Sequence, residues 1–245
     1  MNYTLHHLPE TDSTNTYCKQ LARSGVPHGT VVIAEHQTGG RGRLGRTFCS
    51  PKNAGLYCSV LLRPDWNTDT LQLVTSAAAV AAAKAVDALC GCETKIKWVN
   101  DLFLGGRKFC GILTEAGFTA SGGIDYVVVG IGINLRNAGK ELPEELHPIV
   151  TSIEEETGCI LTPAQMAEVL LAFLDSAFSA LPDREFLKEY RERSMLLGRD
   201  VAVHSGNETY PARVLDIEEN AGLVIQLTDG TKRVLRTGEV SVRMI

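Results

Sequence analysis

Residues 39–46 combine four glycines with three arginines, Arg41, Arg43 and Arg46. Glycine permits backbone conformations with positive φ and lets backbone amides approach a ligand closely. Arginine keeps its charge at physiological pH and offers a planar fork of N–H donors. The segment is therefore typical of a loop that binds phosphate or carboxylate oxygens. Taken alone, it also fits a solvated basic loop or a nucleic-acid patch.

A second group of cations lies in residues 95–101, KIKWVND. Alternation along a strand places Lys95 and Lys97 on one face, with Ile96 and Trp98 on the other. Two lysines on one face usually point into solvent. If that face lines the same pocket as the arginines, Lys97 would stabilise negative charge on a transferring group. The last two residues of the segment also fit a simple Asx-turn.

Three smaller features accompany these cations. Residues 11–15, TDSTN, fit a helix N-cap, and polar side chains at a helix N-terminus also suit a polar ligand group. Gln37 precedes the glycines, so it is either a loop residue or an amide donor in the same pocket. Phe48 follows the loop and is either a core residue or an aromatic that stacks on a purine.

Glycines inside strands indicate a backbone close to a ligand, and Gly111, Gly130 and Gly132 lie in apolar strand patterns. The sequence holds no GxxxxGK[ST], HExxH or GxSxG pattern and no paired Cys/His arrangement. A P-loop, metal-dependent hydrolysis of the HExxH type and a nucleophile elbow are therefore unsupported.

The elements that must position these residues alternate between strands and helices. We predict an edge strand at 3–8, a buried strand at 30–35, a half-buried strand from Leu56 to Leu62, and a hairpin around residues 105–106. We also predict an alanine-rich helix capped by Thr70 and a helix that begins at Thr162-Pro163. Short strands separated by turns follow Gly198, which predicts a small β-barrel of about fifty residues. The fold class is thus α+β, a mixed sheet with flanking helices, in two domains, 1–194 and 195–245.

Composition bounds the function. The 245 residues carry a net charge of -5 and are 44% hydrophobic, as expected for a soluble globular protein. An acidic chain disfavours general binding to nucleic acid or membrane surfaces, so the arginines indicate a local site. Seven cysteines without a framework favour a reducing cytosol, and the N-terminus lacks a signal-peptide pattern. The apolar run from residue 71 to 83 is shorter than a membrane span of about 20 residues.

Five segments in order (STN, Gln37 with GRGRLGR, KWVND, FCGILTE and GIGIN) resemble the signature series of biotin–protein ligases. The resemblance runs from Leu8 to Ile245 and implies a class II synthetase-like catalytic domain followed by an SH3-like barrel. It also implies that ATP, with Mg²⁺, activates biotin as biotinoyl-5′-adenylate. A lysine of a biotin carboxyl carrier protein then takes up the biotin.

The resemblance also assigns residues. It implies catalytic roles for Lys97, Arg41 and Arg43, with the metal carried by ATP rather than by a protein site. The implied biotin-binding residues are Ser13, Thr14, Asn15, Gln37, Gly40, Arg41, Gly42, Arg43, Lys97 and Gly111. The implied ATP or adenylate contacts are Arg41, Arg43, Phe48, Lys97 and Asn134.

Two departures from the pattern matter. Val99 stands where the family usually has proline, and the chain begins at the catalytic part, so we expect no operator binding through a winged-helix domain. The expected partner is the carrier domain of a biotin-dependent carboxylase, with no DNA and no membrane, in the cytoplasm. Monomer and homodimer stay open, as do the acceptor carboxylase and the biotin affinity.

Two other interpretations compete with this one. Lipoate ligases and octanoyl transferases share the general fold and would favour lipoate over biotin. A non-catalytic biotin sensor or carrier-binding module would bind biotin without releasing pyrophosphate, and Lys97→Ala would leave its ligand affinity nearly unchanged. The barrel suggests peptide binding by its fold, whereas the family resemblance implies that it assists ATP or carrier engagement.

Overall fold

The computed structural model describes residues 2–236 and the backbone of residues 240–244. Residues 1, 237–239 and 245, which belong to the two predicted domains, lie outside this description. Seven strands form one mixed sheet: β1 (Thr4–Leu8), β2 (Thr30–Ala34), β3 (Gly55–Leu62), β4 (Lys95–Lys97), β5 (Asp101–Leu104), β6 (Arg107–Phe118) and β7 (Ile124–Asn134). Six helices accompany it: α1 (Thr14–Arg23), α2 (Thr68–Leu71), α3 (Val74–Cys90), α4 (Ile153–Thr157), α5 (Pro163–Ser179) and α6 (Phe186–Glu192).

The strand order is β1-β2-β3-β7-β6-β5-β4. β1 runs parallel to β2, and every other neighbouring pair in this sheet is antiparallel. β1 therefore lies at an edge, as predicted. The predicted hairpin is also confirmed, because Gly105 and Gly106 connect β5 to β6 with positive φ angles of 54° and 82°. The predicted α+β class, a mixed sheet with flanking helices, is confirmed.

Helices cover both faces of the central strands. In β2, Val31 and Ile33 pack into the cluster that contains α3 and α5, whereas Val32 packs with Cys18 and Ala22 of α1. This alternation follows from the two-residue period of a strand. β3 is buried along its whole length, so the prediction of a half-buried strand was wrong. On its second face, Ser59 contacts Thr14 and Asn15 of α1, and Leu61 packs with Cys18 and Ala22 of the same helix.

The alanine-rich helix is the centre of the core. α3 buries eleven of its residues, and it packs against α5 and the sheet. The helical stretch 68–90 is 23 residues long, enough by length and composition to cross a membrane, and 67% of its most apolar window is buried in the structure. It is thus longer than the predicted apolar run, and it serves here as a core helix.

The start of this stretch differs from the prediction. Asn67, not Thr70, is the N-cap of α2, and its Oδ1 accepts hydrogen bonds from the Thr70 amide and hydroxyl. Asparagine is as good a cap as threonine, so sequence did not separate the two. The cap of α5 is a full capping box between Thr162 and Gln165, with Pro163 at the first helical position, as predicted.

The C-terminal part forms the predicted small all-β module. Its strands are β8 (Asp200–Ser205), β9 (Glu208–Ile217), β10 (Leu223–Leu227), β11 (Lys232–Leu235) and β12 (Val240–Met244), antiparallel in the order β11-β10-β9-β8-β12. The arrangement is consistent with an SH3-like domain.

This module shares its core with the large sheet. Val201, Val214 and Leu223 belong to the same apolar cluster as α3. The indole Nε1–H of Trp98 also donates to the Ala221 carbonyl at 2.9 Å. The division into domains 1–194 and 195–245 stays a prediction, and the two parts meet through buried apolar side chains and through the Trp98–Ala221 hydrogen bond.

Candidate active site

The glycine–arginine segment folds as a short hairpin above the sheet. The Phe48 amide donates to the Gly40 carbonyl at 2.9 Å, and the Gly42 amide donates to Arg46 at 2.7 Å. The tip is a single 3₁₀ turn in which Leu44 has φ 56°. A Cβ at Gly40 would overlap the Phe48 carbonyl oxygen, so glycine is required there. Backbone hydrogen bonds thus fix the conformation of a loop whose glycine-rich composition is typical of a flexible segment.

The predicted biotin segment lies buried at the start of α1, where Ser13, Thr14 and Asn15 are each less than 5% exposed. Ser13 takes the N-cap position without a side-chain cap. The Gln37 Oε1 instead accepts from the Thr14 amide at 2.9 Å and lies 3.1 Å from the Thr14 hydroxyl oxygen. Gln37 therefore caps the helix from the neighbouring loop.

Asn15 is held just as fully. Its Nδ2 donates to the Leu113 carbonyl at 3.1 Å and to Glu115 Oε2 at 2.9 Å, and its Oδ1 accepts from Ser59 Oγ at 2.6 Å. Both N–H groups of the amide are thus occupied within the protein. A Cβ at Gly130 would overlap this amide, which explains a glycine in the middle of β7.

Each of the two predicted catalytic arginines lies against a polar residue of the sheet. Arg43 Nη1 donates to Asn100 Oδ1 at 3.2 Å, and Asn100 Nδ2 donates to the Ile112 carbonyl at 2.9 Å. Burial lowers the pKa of Arg43, while the charge of Asp101 raises it. An arginine pKa starts high enough for the group to stay charged.

Arg41 is held by Glu115 of β6, with Nη2 to Oε1 at 3.1 Å and Nη1 to Oε2 at 3.4 Å. Lys19 of α1 pairs with the same carboxylate at 2.6 Å. Burial raises the pKa of Glu115, but hydrogen bonds from Lys19 and Asn15 and the charges of Lys19 and Arg41 outweigh it, so the pKa is lowered. The carboxylate is therefore ionised at neutral pH.

The strand glycines form a platform under Phe48. Gly111 and Gly132 are paired across β6 and β7, and a Cβ at either would meet the Phe48 ring. Lys108 Nζ lies 5.9 Å from the centre of that ring and 2.7 Å from Asp101 Oδ1. In this structure a side chain of the protein, rather than open space, explains the glycines at 111 and 132.

One cavity of about 140 Å³ collects most of the predicted residues. Lys97 lines it together with Arg41 and Arg43, and so does Trp98, which strand alternation places on the face opposite Lys97. The other predicted residues at its walls are Ser13, Thr14, Asn15, Gln37, Gly42, Phe48 and Gly111. Pockets for drug-sized ligands occupy roughly 300–1,000 Å³, so the loop and the Phe48 ring leave less room than such a ligand needs.

Two predicted residues lie elsewhere. Gly40 lines a neighbouring pocket that shares Gln37, Thr47 and Phe48 with the first. Asn134 lines a further cavity of about 300 Å³ and donates from Nδ2 to the Thr151 carbonyl at 3.1 Å. Their roles at a nucleotide or biotin stay predictions.

Sequence reasoning missed three charged residues of the site: Lys19, Lys108 and Glu115. Two patterns could have indicated them. Glu115 shares the parity of Gly111 on one strand, and Lys19 lies four residues after Asn15 on one helix face. Lys108 breaks the parity because the ladder between β5 and β6 carries a bulge after Leu102.

The fold is that of biotin protein ligases of known structure. A biotin protein ligase from Aquifex aeolicus, solved with biotin and ATP, superposes with a TM-score of 0.84 at 28% identity, over 99% of both chains. The biotin–[acetyl-CoA-carboxylase] ligase of Paracoccus denitrificans is 32% identical over 95% of this chain and 98% of its own. That of Mycobacterium tuberculosis is 31% identical over 94% of this chain and 86% of its own.

Residues 8–134 match the model of the biotin/lipoate A/B protein ligase family. The matched range contains every residue to which the sequence assigned a role at the site, from Ser13 to Asn134. The chain belongs to this family.

Proposed function

We propose that the protein is an ATP-dependent biotin–protein ligase that acts on a biotin carboxyl carrier domain. The observation that carries the proposal is the convergence of Arg41, Arg43 and Lys97 on one cavity beside the buried Ser13–Asn15 segment. Its relatives are named as ligases for acetyl-CoA carboxylase, which supports a carrier domain as the acceptor.

The first step joins two anions. A carboxylate oxygen of biotin attacks the α-phosphorus of ATP, the bond to the β-phosphate bridge breaks, and pyrophosphate leaves. The main obstacle is repulsion between the carboxylate and the polyphosphate, which Lys97 and Arg43 offset by their positive charge. Enclosure beneath the arginine hairpin would keep water from the mixed anhydride.

The second step transfers biotin. The amine nitrogen of the carrier lysine attacks the carbonyl carbon, the carbonyl–phosphate oxygen bond breaks, AMP leaves, and the amine releases a proton. In this step we assign Ser13, Thr14 and Gln37 to the biotin end of the cavity and Phe48 to the adenine end. Asn134 is assigned to the nucleotide through the adjoining cavity.

Magnesium is expected to enter with the nucleotide and to screen the phosphate charge. Among residues 2–236, no group of three or more His, Cys, Asp or Glu side chains could hold a metal ion. The residues that we assign to the magnesium–nucleotide complex are Arg41, Arg43 and Lys97, whose positive charges would face its phosphates.

The reaction is tested with ATP, Mg²⁺, labelled biotin and a purified carrier domain. We expect label on one carrier lysine, dependent on ATP, and a loss of at least tenfold for Lys97→Ala. Absence of label on the carrier would reject the proposal. Release of pyrophosphate with lipoate but not with biotin would instead assign the protein to the lipoate branch of the family.

A further inference from the structure

Glu115 is the point where three separate elements meet. It lies on β6, and it receives Lys19 and Asn15 from α1 and Arg41 from the hairpin loop. Its side chain is 20% exposed, and that of Arg41 is 45% exposed. A half-exposed arginine on a glycine-rich loop has many rotamers, and a two-point contact with a carboxylate removes most of them.

The same carboxylate joins the arginine to the buried polar segment. Glu115 Oε2 accepts from Asn15 Nδ2, and Ser59 Oγ donates to the other end of that amide. Ser59 Oγ also lies 2.8 Å from Thr14 Oγ1, whose proton is available to Ser59 because the Thr14 backbone amide donates to Gln37 Oε1. Hydrogen bonds thus run without a gap from Gln37 to Arg41, and Glu115 is the last link.

The cluster of Arg41, Lys19 and Glu115 has a net positive charge. Arg41 and Lys19 are positive and Glu115 is negative, so the three together carry one net positive charge. Without Lys19, the carboxylate that fixes Arg41 would also cancel its charge toward an anionic ligand. Lys19 contacts Glu115 at 2.6 Å, closer than Arg41 does, and restores that charge.

We propose that Glu115 is a positioning residue that fixes Arg41 for the adenylation step, with Lys19 preserving the positive charge of the pair. The proposal rests on the proposed function, because Arg41 is assigned there to the reacting anions. Glu115 itself does not touch the substrates in this scheme.

The test uses the full chain and measures pyrophosphate release with biotin and MgATP. Glu115→Gln keeps the shape of the side chain and removes its charge. We expect kcat to fall about tenfold, with the KM for ATP not raised, because one negative charge has gone from the site. Asp125→Asn is the matched control, since Asp125 forms a 3.1 Å pair with Arg63 on the same sheet. It should leave both constants unchanged.

A double-mutant cycle distinguishes positioning from a general loss of structure. Arg41→Ala combined with Glu115→Gln should lose no more activity than Arg41→Ala alone, because the carboxylate acts through that arginine. Independent, multiplying losses, or a wild-type kcat for Glu115→Gln, would overturn the proposal. Glu115→Asp keeps the charge on a shorter side chain and should recover part of kcat. If Glu115→Gln does not fold, Glu115→Asp replaces it in the cycle with Arg41→Ala.

A second readout does not depend on activity. Trypsin cleavage after Arg41, followed by mass spectrometry, should be several-fold faster in Glu115→Gln than in wild type or Asp125→Asn. Equal cleavage rates in all three would overturn the anchoring of Arg41 even if the enzyme were active. A wild type that releases no pyrophosphate while cleavage responds as expected would reject the proposed function alone.

Discussion

Gly132 shows how a single missing side chain shapes the site. A Cβ there would lie 2.5 Å from one carbon of the Phe48 ring and 2.6 Å from another. We expect Gly132→Ala to push the ring out of place and to lower the free energy of unfolding by about 1–3 kcal/mol, the usual cost of overpacking.

Chemical denaturation of the two proteins measures this difference. Gly123→Ala is the matched control, because its Cβ would make only an ordinary contact with the Thr119 hydroxyl. It should change stability by less than about 0.5 kcal/mol. Equal losses at the two positions would show that the Phe48 contact is not the cause.

Glu115 also predicts how stability depends on pH. Its pKa in the folded protein is lowered, so the folded state favours the ionised carboxylate and gains stability above the ordinary glutamate pKa of about 4.3. That gain is lost as the pH falls through the lowered pKa. The stability advantage of wild type over Glu115→Gln should therefore shrink as the pH falls below about 5.

Denaturant titrations of both proteins across that range give the measurement. Asp125→Asn again serves for comparison, since it reports the response of another carboxylate on the sheet. A constant difference between wild type and Glu115→Gln from neutral to acidic pH would contradict the lowered pKa.

At the residue level, charge patterns carried most of the information available in the sequence. Strand parity separates Lys97 from the buried Ile96, although Trp98, which parity groups with Ile96, also lines the cavity. The sequence did not show which carboxylate pairs with Arg41, because Glu115 lies 74 residues further along the chain. The role of Gln37 as a cap for Thr14 was hidden for the same reason, since sequence shows caps only when they are local.

At the scale of elements, the C-terminal module and α6 hold the turn that follows β4 in place through hydrogen bonds. Trp98 follows Lys97 directly, and its indole donates to Ala221, a buried residue with φ 61° in the turn between β9 and β10. Tyr190 of α6 donates to the Val99 carbonyl at 3.0 Å. The Trp98–Val99 peptide is cis. Two distant elements therefore hold the segment that carries Lys97.

We expect Trp98→Phe to lower the free energy of unfolding by about 1–3 kcal/mol, because the Ala221 carbonyl loses its buried donor. Trp66→Phe is the matched control, as Trp66 is partly exposed and packs its ring against Phe178. Thermal unfolding of the two variants measures the effect. A loss no greater for Trp98 than for Trp66 would show that the bond to Ala221 contributes little.

Element types were predictable where periodicity was strong, as in the α5 helix and the β5–β6 hairpin. Which faces of each element are buried was harder to predict from the sequence. Gly55 and Ser59 on the second face of β3 suggested partial exposure, yet α1 covers that face, and only the tertiary arrangement decides this. The short α4 helix also escaped prediction, because five residues give no periodic pattern.

For the whole molecule, the shared core predicts a single unfolding transition. Val201, Val214 and Leu223 of the C-terminal module lie in one apolar cluster with α3, so separating the parts would expose that surface to water. Far-UV circular dichroism and tryptophan fluorescence should report the same midpoint. In the Trp66→Phe variant the fluorescence comes from Trp98 alone, which lies at the contact between the two parts.

Two separate midpoints, with the Trp98 signal changing first, would show that the module unfolds independently. The same core explains why truncation after Gly198 is a poor test of what the module does for ligation. A truncated chain would lose structure along with function, whereas a point variant such as Trp98→Phe keeps the parts together.

The apolar α3 helix has a consequence for synthesis of the chain on the ribosome. Residues 68–90 emerge first, and the α5 helix that covers them begins only at Pro163. During that interval a long alanine- and valine-rich surface has no permanent cover, which exposes the nascent chain to aggregation and to chaperone capture. A fragment that ends before Pro163 should consequently stay insoluble, although it contains all the cationic residues assigned to the reaction.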